Sequence, residues 1–321
     1  MGKRLLLSLL LLAAGPLAAQ PAAWLAEWPR TDFARRSVDL SEIISGGPPK
    51  DGIPAIDRPR FRPAGEIRLE EREPVITVRI GEAVRAYPLR ILIWHEIVND
   101  ELGGVPIAVT FCPLCNTGIV FDRRLDRRIL DFGTTGKLRN SDLVMYDRQT
   151  ESWWQQFTGR AIVGELTGAS LVMLPSRLES FARFRARHPD GEVLVPPDPD
   201  LRPYGTNPYA GYDRSSRPFL YDGPLPEEIA PLQRVVRVGA EAWSLALVRE
   251  RGRIEAGDLV ITWEPGQASA LDGRLIGRGI DVGNVVVQRR LPDGRLEDVV
   301  YSVDFAFAFR AFYPDAPLHT R

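Results

Sequence analysis

From residue 74 onward the chain is a succession of short β-branched stretches punctuated by turn residues, and this pattern restricts the fold more than any other feature. The first instance runs Val75-Ile76-Thr77-Val78-Arg79-Ile80, then Gly81-Glu82, then Ala83-Val84-Arg85-Ala86-Tyr87. It predicts a hairpin, because alternating side chains bury one face of each strand. Further strands are expected over 105–111, Ile119-Val120-Phe121, 129–132, 143–146, 153–157 and 161–166. Helical spacing is rarer. It occurs over 89–101, where Ile91, Leu92, Trp94, Ile97 and Val98 would share a face and His95 would be carried along. It occurs again over 178–188, closed by Pro189-Asp190-Gly191. Between 195 and 231 lies a loop full of Pro, Gly, Tyr and Asp, longer than most connections in compact domains.

After that loop the first pattern returns. Val78-Arg79-Ile80-Gly81 with Ala86-Tyr87-Pro88-Leu89 is echoed by Val236-Arg237-Val238-Gly239 with Ala242-Trp243-Ser244-Leu245. Val109-Thr110-Phe111-Cys112-Pro113 is echoed by Ile261-Thr262-Trp263-Glu264-Pro265. The fold class expected is therefore α+β, mainly antiparallel β, with two duplicated β-rich halves at 73–165 and 233–321. A helix and the long loop at 166–232 would join them, and residues 20–72, rich in proline and charge, would form an extended arm over this single domain.

The chain opens Met1-Gly2-Lys3-Arg4, then an apolar run from Leu5 to Leu12, then Ala13-Ala14-Gly15-Pro16-Leu17-Ala18-Ala19. A basic head, an apolar core and a small-residue end mark a secretory signal peptide over 1–19. The run is too short for the ~20 residues of a membrane span. An exported protein, periplasmic or secreted, with no transmembrane segment after cleavage is the expectation. Net charge is −1 with acids and bases interspersed, which argues against a nucleic-acid surface.

Only two cysteines are present, Cys112 and Cys115, separated by Pro113-Leu114. An oxidising destination favours paired thiols, yet a bridge across so short a loop removes little chain entropy. Chemistry is the better reason for the pair. The spacing lets both sulfurs face one point, where they can close a reducible disulfide or hold one metal ion. Haem attachment is excluded, because Asn116 stands where a histidine is needed.

In the redox reading Cys112 and Cys115 cycle between dithiol and disulfide, with His95 as proton acceptor and Asp122 or Asp147 orienting it. The metal reading adds His95 and Met145 to the two sulfurs, a soft set that suits copper. A redox or metal-handling partner protein is implied by either. Plainer roles stand beside these: a packed helix residue for His95, a core side chain for Met145. In a third reading Trp153, Trp154 and the tyrosine-rich loop form a ligand groove, and the cysteines only stiffen the chain. Asp122, Asp142, Asp147 and Glu151 offer a carboxylate pair for acid–base work, although their spacing singles out no reaction.

The segments Trp94-His95-Glu96-Ile97-Val98-Asn99-Asp100, Phe111-Cys112-Pro113-Leu114-Cys115-Asn116-Thr117, residues 136–148 and Ser152-Trp153-Trp154-Gln155-Gln156 give the chain a resemblance to a family. It resembles the DUF3179 family of exported bacterial and archaeal proteins, over most of its length after about residue 48. Some members of that family are labelled selenoproteins. The resemblance therefore implies redox or soft-metal chemistry at Cys112 and Cys115, since selenium adds little to a structural staple.

Overall fold

A computed structural model describes residues 22–321; the signal peptide expected over 1–19 lies outside them. The architecture corrects the expected fold class. The protein is mostly β, 40% strand and 15% helix, with five small sheets arranged as a five-bladed β-propeller rather than an α+β fold of two halves.

The first blade orders Ser176–Ser180, Pro74–Ile80, Ala83–Pro88, Glu192–Val195 and Arg60–Pro63. The second orders Val172–Leu174, Thr117–Asp122, Val105–Cys112 and Ile97–Leu102, and the third Ile43–Ser45, Phe132–Arg139, Asp142–Asp147, Trp153–Gln155 and Arg160–Val163. Ser302–Phe305, Arg234–Val238, Glu241–Ser244 and Leu318–His319 make the fourth, and Arg253–Ala256, Leu259–Glu264, Asn284–Arg290 and Leu296–Asp298 the fifth. The sequence echo marks blades built alike. In the first and fourth, a central hairpin is flanked by a later antiparallel strand on one side and a later parallel strand on the other. In each case a short helix, Leu89–His95 or Leu245–Arg251, leads to the next three-stranded meander. The third blade has no counterpart, so the resemblance between blades does not cut the molecule in two.

Two-residue turns set the register of the hairpins. Asn140 and Ser141 both have positive φ, +54° and +61°, and Arg139 pairs with Asp142 across them. That is the type I′ geometry whose twist matches the flanking strands. The expected helix over 89–101 stops at His95, because Glu96 turns left-handed at φ +58° and Ile97–Leu102 pairs with Val105–Cys112. β-branched Ile97 and Val98 pack better on a pleated sheet than in a helix. The expected helix over 178–188 begins only at Phe181, since Leu178 is already paired with Ile76.

The arm is part of two blades. Ile43–Ser45 pairs with Phe132–Arg139, and Arg60–Pro63 pairs with Glu192–Val195. Trp28 and Phe33 pack edge-on against Trp153, with ring centroids 5.2 Å apart in both cases. Trp153 and Trp154 are fully buried, so the groove expected of them does not exist; Trp153 is the anchor of the arm. Among the described residues no helix is long and apolar enough to cross a membrane.

Candidate functional site

The two cysteines sit at the tip of the second blade's central hairpin. Cys112 ends one strand and pairs with Thr117, leaving Pro113-Leu114-Cys115-Asn116 as the loop. Asn116 adopts φ +54°, which turns the chain back, and its side-chain amide donates to Val303 O at 2.8 Å. The backbone N–H of Phe305 donates to Cys115 O at 2.9 Å, and Thr117 Oγ1 donates to Asp304 at 2.9 Å. The outer strand of the fourth blade thus clamps the cysteine loop on three successive residues.

Facing that loop is the hairpin tip of the third blade. Both thiols are free and buried, near 4 Å apart, and both point at the carbonyl of Ser141, 3.8 Å from Cys112 Sγ and 3.5 Å from Cys115 Sγ. Asp142 follows directly. One of its oxygens accepts from Gln155 Nε2 at 2.7 Å and from the Phe157 N–H at 2.9 Å. The other, Oδ1, is buried with no hydrogen-bond partner among the described residues. A carboxylate oxygen of Asp142 and the two sulfurs lie within 4.8 Å of one another. Sequence spacing had offered Asp142 only as one of several carboxylates; its place at the far side of an Asn-Ser turn brings it here.

Glu96 joins them. Its backbone carbonyl accepts from the Phe111 N–H at 2.8 Å, which seats it beside Cys112. Its side chain is buried and makes no hydrogen bond among the described residues. The ionisation of the cluster follows from removing it from water. Burial first, and the charge of Asp142 second, push the Glu96 carboxyl up to about 8. Burial pushes Asp142 up to about 7 against the hydrogen bonds from Gln155 and Phe157. Burial also raises both thiols, Cys115 well above its ordinary value, with Cys112 and Asp142 adding to the effect there. Among the described residues no cation figures among the main influences on either sulfur.

The other residues expected at the site are elsewhere or already engaged. His95 is buried with both ring nitrogens occupied: Nδ1 lies 2.7 Å from Pro54 O and Nε2 2.7 Å from the Tyr204 hydroxyl. Since Pro54 O can only accept, Nδ1 carries the proton and Nε2 accepts from Tyr204. It is not one of the metal-grade cluster, and burial lowers its pKa. Asp122 pairs with Ile107 at the far end of the same hairpin, about 17 Å along the strand from the thiols at ~3.4 Å per residue. There it chelates Arg124, which holds its carboxyl below the usual range. Asp147 is spent on a turn, accepting from the Thr150 N–H and hydroxyl and from Trp154 Nε1. Neither carboxylate orients His95. Met145 is fully buried in the hydrophobic core that also contains both cysteines, on a strand paired with Trp154.

The long loop covers the site. Tyr212 donates its hydroxyl to Leu114 O at 3.1 Å, inside the cysteine loop, and Ser141 Oγ donates to Phe219 O at 2.6 Å.

Comparison with known proteins bears on this arrangement. A family described as "Protein of unknown function (DUF3179)" matches residues 50–316. The chain belongs to that family. The DUF3179 match takes in every residue of the cluster and all of the blades except the edge strands Ile43–Ser45 and Leu318–His319, while no curated protein and no solved structure matches.

Proposed function

We propose that the protein is a metal-binding protein whose ion is held by Cys112, Cys115 and Asp142. The observation that carries this is the convergence of two sulfurs and a carboxylate within 4.8 Å, with Asp142 Oδ1 buried and unpartnered. An orphaned buried oxygen costs about 1–3 kcal/mol, and a cation in the cluster removes that cost and offsets the burial that chiefly raises Cys112, Cys115 and Asp142. Two thiolates and a carboxylate suit a borderline divalent ion such as zinc. Copper(I) would be better served by the histidine and methionine of the softer set, and His95 is committed to Pro54 and Tyr204.

A second reading, thiol–disulfide cycling of Cys112 and Cys115, is supported by their sulfurs lying near 4 Å apart, close enough for a small rotation to join them. Against it stand the raised thiol pKa values and complete burial, since exchange needs an accessible thiolate. Export through the leader over 1–19 is part of the proposal, and a partner that delivers or receives the ion would be the natural counterpart.

Titration of the reduced apoprotein with cobalt(II) tests the reading. We expect a thiolate-to-cobalt absorption that saturates at one equivalent and disappears in Cys112→Ser. A protein that gives no such band, yet forms and opens a Cys112–Cys115 bridge in redox buffers, would instead be a dithiol protein.

A further inference from the structure

Between the second and fourth blades lies a cavity of about 200 Å³, walled by Ile119, Val120, Met173, Leu174, Tyr301 and Tyr313. None of Cys112, Cys115 and Asp142 lines it. Among the described residues its one charged lining side chain is Arg237, which is 4% exposed. Arg237 Nε donates to Asp304 Oδ2 at 2.7 Å, while Nη1 reaches Gly239 O only at 3.5 Å, the limit of a hydrogen bond. Nη2 makes no hydrogen bond among the described residues. Asp304 also accepts from Thr117 Oγ1 at 2.9 Å and Ser302 Oγ at 2.8 Å, and it does not line the cavity. The guanidinium carbon lies 4.5 Å from the centroid of the Phe157 ring. Arg237 is thus fixed by a carboxylate on its Nε edge and by a ring against one face, and its two terminal nitrogens are left over.

Arginine carries five N–H donors in a planar fork and cannot shed its charge. Burying one with most of those donors unused costs free energy unless something supplies acceptors. We propose that the cavity binds a small monocarboxylate with an apolar body. Its carboxylate meets the terminal nitrogens of Arg237 in the two-on-two geometry that suits this pair, and its hydrocarbon part lies against Ile119, Val120 and Leu174. One charged group set among apolar walls is the usual make-up of a pocket that orients a small ligand. Charge narrows the class further. A cationic ligand would meet only like charge, and a phosphate dianion would bring two negative charges beside Asp304 with a single cation to receive them. The site is separate from the cysteine cluster and does not depend on the metal reading. The two touch only through their supports, since Thr117 and Asp304 hold the cysteine loop and the Phe157 N–H holds Asp142.

The test is calorimetric titration of the full-length protein with benzoate, and with the smaller butyrate, at fixed ionic strength. In the wild type we expect saturable binding at one equivalent. Benzamide, which has the shape of benzoate without the charge, should bind at least about tenfold more weakly, the loss of a charge-assisted pair. Arg237→Lys keeps the positive charge and loses the fork, and should weaken benzoate by a similar factor. Val300 lines the cavity from outside any strand, so Val300→Phe fills the space without touching the Arg237–Asp304 pair; it should lose benzoate binding and serves if the lysine variant does not fold. Failure of both benzoate and butyrate to saturate the wild type would overturn the proposal. Benzamide binding as tightly as benzoate would overturn the carboxylate class. Benzoate binding unchanged in a folded Arg237→Lys or Val300→Phe would overturn the assignment to this cavity.

Discussion

Cys112, Cys115 and Asp142 are separated by as many as thirty positions in the chain and meet because two hairpin tips face each other. Asp142 is the residue whose substitution is most informative. With its unpartnered oxygen and raised pKa, it burdens the apoprotein, so Asp142→Asn should leave the metal-free protein at least as stable in urea. The same change should weaken metal binding at least tenfold, by analogy with the ~10–100-fold effects of perturbing groups around metal sites; competition with a chelator measures it. His95 gives a prediction with a sign. Its folded pKa is lowered, by burial first and by Arg202, so the neutral ring is the one the fold accepts. Above about pH 6.5, the ordinary histidine value, its contribution is complete. As the pH falls below that, the unfolded chain takes up a proton that the folded one resists, and stability declines. His95→Gln removes that loss, so the melting temperature of the variant relative to the wild type should rise as the pH falls from 7 to 5, on top of the opposite slope that the raised carboxyls of Glu96 and Asp142 give to both proteins. At this scale the cysteine pair was legible, because two thiols with no other cysteine in the chain announce themselves. Glu96 was not, since nothing in a His-Glu-Ile-Val run says that the chain turns left-handed there, sends the His95 ring to Tyr204 and buries the side chain that follows.

At the level of elements, turns carried the information and helices lost it. Gly81-Glu82 and the alternation on either side predicted a hairpin that exists as Pro74–Ile80 and Ala83–Pro88. The longer helical patterns failed at their ends, where residues of helical spacing are claimed by a neighbouring strand: Leu178 by Ile76, Ile97 by Thr110. Amphipathic spacing alone does not record which neighbour will be there. The loop of 195–231 was visible as a loop, but the place it covers depends on contacts between distant residues. Tyr212 is its fastening to the cysteine loop. Tyr212→Phe removes two hydrogen bonds of about 1 kcal/mol each, one to Leu114 O and one from the Phe219 N–H, and should speed metal release to a chelator by at least about fivefold, the loss of one such bond, while leaving the amount of metal bound at saturation unchanged. The arm is fastened by Trp153, against which Trp24, Trp28 and Phe33 all pack. Trp153→Ala should cost about 3–5 kcal/mol in chemical denaturation and expose residues 24–45 to limited proteolysis before the rest of the chain.

For the whole molecule, five small sheets set the hairpin tips of the second and third blades facing each other, with the outer strand of the fourth clamping the tip of the second. The sequence echo between residues 78–89 and 236–245 is real in the sense that those blades share strand order and direction, but it suggested a division that the third blade denies. Strand content could be read from alternation; the number of sheets could not, because period-two patterning says that a strand has a buried face and not which partner covers it. The same limit hid the site, whose members are local in space and remote in sequence. The central claim is that this convergence exists to hold a metal ion. Elemental analysis with a free-thiol count on protein purified without chelators tests that claim most directly. The account predicts close to one equivalent of a divalent transition metal, zinc foremost, two thiols titratable only after chelation and denaturation, and loss of the metal in Cys115→Ser. Metal-free protein carrying a Cys112–Cys115 disulfide would contradict it.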